Sequence, residues 1–215
     1  MIQVLTVPVG ELQANCHIVF DQQHHAVIID PGAEAEKLLA LLKEHALHAK
    51  AILLTHAHFD HFAAAAPLME ALQIPLYLHR LEEPVLHSVQ QNLADYLGMQ
   101  EQYRNIAECC TFEEGDVLSF SEALTFTILH TPGHSPGSVC YCLDTLMFTG
   151  DTLFRDAVGR VDFPGGNLRD MRASLRRLGA LEGDYQIYCG HYAGTTLARE
   201  KAYSHYLQTP ASGKC

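Results

Sequence analysis

Apolar and polar positions alternate or run together along the chain in a way that predicts a mixed α/β protein. Ile2–Val7 is apolar and β-branched, and Cys16–Phe20 and Ala26–Ile29 follow with Asp21–His25 as the turn between them. Asp30-Pro31-Gly32 is a breaker that ends the third strand. Ala33–His45 carries Leu38, Leu41 and Leu42 on one helical face, with Glu34 and Glu36 in the first turn. Ala51–Leu54 and Leu76–Leu78 are short, fully apolar runs that suit buried strands. Between them, Phe62–Leu72 predicts an Ala-rich helix, and Glu83–Leu97 predicts an exposed one. Strands are expected again at Val117–Phe120, Leu124–Leu129, Ser138–Leu143, Leu146–Thr149 and Ile187–Cys189. Leu168–Leu178 is an amphipathic helix with Arg169, Arg172, Arg176 and Arg177 on its wetter side, read as a solvated face, and Ala193–Leu207 is the last helix. Blocks of strands with helices between and after them favour layered sheets covered by outer helices.

Composition narrows the class. The chain has 215 residues, 48% hydrophobic and 18% charged, which excludes a disordered polymer. We expect residues 1–208 to form one domain and 209–215, small and polar, to fray. Asp and Glu outnumber Lys and Arg by 25 to 14, and the net charge of −11 argues against a nucleic-acid partner. No apolar run reaches the roughly 18 residues of a membrane helix, and the first residues lack a secretory signal, so a cytoplasmic protein without a membrane partner is expected. The seven cysteines include no Cys-x-x-Cys pair and read as reduced, mostly buried thiols. Histidine is the anomaly, at 14 residues.

Four segments hold the chemistry, each in a loop just after an expected buried strand. They are Thr55-His56-Ala57-His58-Phe59-Asp60-His61, Thr131-Pro132-Gly133-His134-Ser135, Thr149-Gly150-Asp151-Thr152 and Cys189-Gly190-His191-Tyr192. Ligands bind in such loops at the carboxyl ends of strands. In an extended loop His56 and His58 point the same way and can hold one ion, while Asp60 and His61 turn towards a second position. A carboxylate has two acceptor oxygens, so Asp151 could bridge two ions. Chance gives His-x-His-x-Asp-His about 0.003 times in a chain of this composition. The competing reading, with surface histidines and Asp60 as a helix cap, covers Asp60 alone but not the set.

His56-x-His58-x-Asp60-His61, His134, Asp151 and His191, with the Asp30-Pro31-Gly32 turn, resemble the metallo-β-lactamase fold superfamily over nearly the whole chain. The resemblance implies an αββα sandwich of two mixed sheets with outer helices, and a two-metal site at one sheet edge. It assigns His56, His58 and His134 to the first metal, Asp60, His61 and His191 to the second, and Asp151 to the bridge. The commonest β-lactamases place Arg at position 61 and Cys at position 151, and this chain has neither. Gly150-Asp151-Thr152-Leu153-Phe154 and Gly159-Arg160-Val161-Asp162-Phe163-Pro164-Gly165-Gly166 resemble the glyoxalase II (hydroxyacylglutathione hydrolase) group and its short bacterial relatives, and also persulfide dioxygenases.

The resemblance implies a hydrolase in which a hydroxide bridging two divalent ions attacks a thioester such as S-hydroxyacylglutathione. Zinc is the first expectation for the ions, iron or manganese the alternatives. Asp60 and Asp151 are the catalytic candidates, Asp60 orienting the hydroxide and carrying its proton. Arg160 would grip a substrate carboxylate and Tyr192 would line the pocket. The rival readings are an ion pair between Arg160 and Asp162, and simple packing for Tyr192. The remaining histidines read as structural; of these, His79 and His130 end expected strands and could alternatively orient ligands from behind. The alternatives for the whole protein are a mononuclear-iron persulfide dioxygenase, a lactonase or phosphodiesterase on the same scaffold, and a non-enzymatic metal binder.

Overall fold

The computed structural model describes residues 1–96, 98–99 and 106–207, so the tail expected at 209–215 lies outside the described residues. Two six-stranded sheets make up the centre. The first joins β1 (Gln3–Val9), β2 (Ala14–Phe20), β3 (His25–Ile29), β4 (His48–Leu53), β5 (Leu76–His79) and β6 (Cys110–Phe112) in sequence order. The first three are antiparallel, and β3 to β6 run parallel. The second sheet holds β7 (Val117–Ser119), β8 (Thr125–His130), β9 (Val139–Leu143), β10 (Leu146–Gly150), β11 (Gln186–Cys189) and β12 (Thr195–Thr196). It is antiparallel except for the parallel β10–β11 pair.

Side-chain alternation along each strand sorts the core into three layers. Val19, Val27, Ile29 and Leu53 of the first sheet meet Phe126, Ile128, Tyr141 and Phe148 of the second in the space between the sheets. The opposite faces of the same strands, with Ile18, Ile28 and Ile52, pack under α1 (Ala35–Glu44) and α3 (Ala65–Leu72). Cys140, Cys142, Met147 and Ile187 pack under α5 (Leu168–Ala180) and α6 (Leu197–Tyr203). Strands buried on both faces explain the unbroken apolar runs in the sequence. The result is the expected four-layer αββα sandwich.

Three segments depart from the sequence reading. Residues 62–72 do not form one helix: α2 (Phe59–Phe62) is a single turn, and the chain restarts as α3 after Ala64 donates to the Pro31 carbonyl. The helix expected over Glu83–Leu97 stops after α4 (Glu83–Leu86). Asn92 donates from its side chain to the Leu86 carbonyl and accepts from Ala94 N–H, and Leu93 adopts φ 67°. This local competition for backbone partners breaks the helix, and Leu86, Leu93 and Ala94 are buried rather than exposed. The last helix is shorter than expected because Thr195–Thr196 pairs with β11 and Thr196 then caps α6. Strand β6 has three residues, too few to leave a periodic signal.

Candidate metal centre

All four motif segments come to one edge of the sandwich. The loop after β4 and the turn of α2 carry His56, His58, Asp60 and His61 from the first sheet. His134 lies between β8 and β9, Asp151 follows β10, and His191 follows β11 of the second sheet. Backbone bonds sew the two sheets together here, from Val139 N–H to the Thr55 carbonyl (2.9 Å) and from Asn15 N–H to the Gly190 carbonyl (2.7 Å).

The donor atoms form two groups. Those of His56, His58 and His134 lie within 4.8 Å of one another, as do those of Asp60, His61 and His191. Asp151 stands between them, with Oδ2 3.5 Å from His134 Nε2 and 3.7 Å from His191 Nε2, and Oδ1 3.6 Å from His61 Nε2. His56 Nε2, His58 Nε2, His61 Nε2 and Asp151 Oδ1 are buried without a hydrogen-bond partner among the described residues. Each such orphan costs about 1–3 kcal/mol in a folded protein. Four of them on imidazoles and a carboxylate, within a mixed nitrogen and oxygen donor set, fit divalent transition-metal ions. Asp60 is no helix cap: it lies inside α2, whose cap position is His58, and its Oδ2 is 3.3 Å from His191 Nε2.

The electrostatics agree with that chemistry. Burial, reinforced by the neighbouring histidines, holds His56 and His58 well below the ordinary imidazole range, so both offer lone pairs at neutral pH. Burial alone would raise the Asp60 carboxyl, yet His61 and His191 beside it hold it well below the usual carboxylate range. Burial opposes charge on His61, but Asp60, Asp151 and Asp30 overcome it and push the ring up to about 10. The carboxylates therefore demand a nearby cation, which a divalent ion supplies in place of the proton.

Residues behind the ligands fix their orientation. Asp30 Oδ2 accepts from His61 Nδ1 (3.0 Å) and from the Thr55 hydroxyl (2.6 Å), and Thr55 Oγ1 lies 3.1 Å from His56 Nδ1. One carboxylate thus turns the Nε2 atoms of two histidines away from itself. His134 Nδ1 donates to the Arg160 carbonyl at 2.7 Å, which leaves its Nε2 as the lone-pair nitrogen. Glu82, fully buried, accepts from Ala57 N–H, Gly137 N–H and the Ser135 hydroxyl at 2.6–2.7 Å. It ties the His56–His58 loop to the His134 loop. Two glycines of the motifs are required by close approach. A Cβ on Gly190 would stand 2.3 Å from Asp151 Oδ1, and one on Gly150, at φ 47°, would stand 2.2 Å from Thr55 Oγ1.

Sequence reasoning gave Asp30 only a turn and did not single out Glu82. Asp30 was within reach as the polar end of a buried strand, whereas Glu82 carries no local signal. The fold gives His79 and His130 a structural role rather than one behind the ligand groups. They stack on each other at 4.2 Å, and their ring nitrogens serve Leu81 N–H and the Pro136 carbonyl. Arg160 is exposed and paired with Asp162 through Nε and Nη2 at 2.9 and 2.7 Å, with its guanidinium 4.1 Å from the Phe163 ring centre. Tyr192 is 78% exposed at φ 63°, its ring 5.9 Å from Phe154. Both line an open cavity of about 360 Å³ together with His58, Asp60, His134, Asp151 and His191. No helix among the described residues is long and apolar enough to cross a membrane.

The model of the metallo-beta-lactamase superfamily matches residues 9–191. The chain belongs to this superfamily. It is 34% identical over 206 residues to a hydroxyacylglutathione hydrolase, GloC, of Haemophilus influenzae, covering 94% of this chain and 97% of that one. Among solved structures it resembles the BLEG-1 B3 metallo-beta-lactamase, with a TM-score of 0.89, 34% identity and coverage of 97% and 100% of the two chains. It also resembles TTHA1623 in a di-iron-bound form, with a TM-score of 0.86, 42% identity and coverage of 95% and 100%. Superfamily membership makes the chain a metal-binding hydrolase of small molecules.

Proposed function

We propose that the chain is a cytoplasmic hydrolase that uses two divalent metal ions to cleave thioesters of the hydroxyacylglutathione class. The observation that carries this reading is the meeting of two ligand triads at Asp151 beside an open cavity. His56, His58 and His134 would hold one ion, Asp60, His61 and His191 the other, and Asp151 both. Such ions bring the pKa of water to about 7 and polarise a substrate carbonyl. Zinc suits the imidazole-rich set, and iron has the support of the di-iron neighbour.

The chain's own groups supply orientation and proton handling. Asp30 and the Arg160 carbonyl hold His61 and His134 in the tautomers that face the site. Asp60, kept ionised by His61 and His191, can accept a hydrogen bond from the attacking water and orient it. Leu93, Phe154, Val158 and Phe163 give the acyl group an apolar wall. A thiolate of pKa about 8.5 departs without a dedicated acid, which suits a cavity whose described carboxyls, Asp60 and Asp151, both stand among the candidate metal-binding groups. The six described cysteines are unpaired, in keeping with a reducing compartment.

The test is turnover of S-lactoylglutathione, a cephalosporin, a lactone and glutathione persulfide by protein of measured metal content. Thioester turnover well above the others is expected. Failure on the thioester with turnover of another substrate overturns the proposal. Lactam hydrolysis is the second reading, favoured by the likeness to BLEG-1. It is weighed against by His61 and Asp151, which differ from the Arg and Cys of the commonest β-lactamases.

A further inference from the structure

The segment that carries Arg160 has a second side. A cavity of about 760 Å³ runs along α5 and shares Val158, Gly159 and Arg160 with the site cavity. Its apolar floor includes the buried side chains of Met171, Leu175 and Leu207. Its rim carries three arginines, Arg160, Arg172 and Arg176, against one acid, Asp162. In a chain where acids outnumber bases by 25 to 14, that balance runs against composition.

The three arginines differ in their commitments. Arg160 is spent on Asp162 through a two-pronged bond. Arg80, Arg177 and Arg199 elsewhere each pair with an acid as well. The side chains of Arg172 and Arg176 make no hydrogen bond or ion pair with the described residues. They stand four positions apart on one face of α5, and no acid lies three or four positions from either within that helix. Their repulsion is uncompensated, so fold stability gives no reason for the pair.

We infer that this groove takes the anionic carrier half of the thioester substrate, with Arg172 and Arg176 pairing its carboxylates or phosphates. The inference rests on the thioester reading above and deepens it. A thiol carrier is an elongated molecule with a sulfur at one end and negative charge farther along. A carrier laid over the shared Val158–Arg160 segment would place its sulfur on the side of the metal-binding groups and its tail along α5, its methylenes on the apolar floor. Guanidinium forks match carboxylate and phosphate geometry, and two of them here are uncommitted.

The experiment uses the metal-loaded full chain and the double variant Arg172→Ala, Arg176→Ala. Both positions are exposed on a helix and Ala is the best helix former, so the fold is retained. Calorimetric titration with S-methylglutathione, an unreactive thioether, and separately with coenzyme A measures binding alone. At least one probe should bind the native chain, more weakly at high salt. Its Kd should rise about tenfold in the double variant, and the probe that binds identifies the carrier. Equal binding by both proteins, or no binding of either probe to the native chain, overturns the inference. In parallel, KM for the lactoyl thioester of the carrier that binds should rise about tenfold with kcat kept, while an uncharged thioester is unaffected. Unchanged constants for both thioesters sink the groove and leave the thioester reading standing. Arginine-dependent probe binding without thioester turnover does the reverse.

Discussion

Asp30 stands at φ 52° just past β3, where its carboxylate reaches across to Thr55 and His61. Supports of this kind change metal affinity or activity by about 10–100-fold when removed. Asp30→Asn should weaken metal binding by about that factor with the fold kept, measured by competition with a chromogenic chelator and by circular dichroism. The direct ligands demand more: His56→Ala or Asp151→Ala should abolish hydrolysis and lower the bound metal count. Near-native turnover in either variant would refute the ligand assignment. The cluster was legible in the sequence because four of its members fall within six residues and the rest sit beside glycines after apolar strands. Glu82 was not, because its partners Ala57, Ser135 and Gly137 lie 25, 53 and 55 positions away. Glu82→Ala strands two buried amides, and a stability loss of about 3 kcal/mol or more is expected in denaturant titrations.

Among the elements, the long apolar strands announced themselves, and the segment after α4 did not. Residues 83–97 have a helical composition, yet Asn92 captures the carbonyl that the next turn would use. The chain then folds inward, and the Asn92 carbonyl accepts from Phe59 N–H at the start of α2. A sequence window cannot see that partner, which lies in another element. Strand β2 makes a similar remote contact through His17, whose Nε2 donates to the Cys189 carbonyl at the end of β11. Its Nδ1 lies 3.0 Å from the Thr6 hydroxyl. Burial lowers this imidazole from 6.5 to about 4, against the opposite pull of Asp30 and the Cys189 carbonyl. The unfolded chain therefore takes up the proton first as pH falls. The stabilisation is complete above 6.5 and is lost towards pH 4, by up to about 3 kcal/mol. In chelator-treated protein, the denaturation midpoint of the native chain should fall between pH 6.5 and 4.5 more steeply than that of His17→Gln. Parallel slopes would remove His17 from this account.

At the level of the whole molecule, the sandwich was readable because strands covered on both faces leave continuous apolar runs flanked by amphipathic helices. The sheet order was not, since it depends on pairings such as β5 with β6, more than 30 residues apart. Phe126 and Phe148 fill the layer between the sheets, and Phe126→Ala should cost about 3–5 kcal/mol. Two ions per chain are expected by elemental analysis, and their removal by a chelator should lower the melting temperature and expose the site-edge amides to hydrogen exchange.

The first sheet supplies His56, His58, Asp60 and His61, and the second supplies His134, Asp151 and His191. Each triad therefore draws on both halves of the sandwich. An ion seated in either triad is a rivet across the seam, and a slip of one slab past the other would pull donors off both ions together. The candidate ligands thus double as fasteners of the seam, and the loss of one would be felt by both sheets.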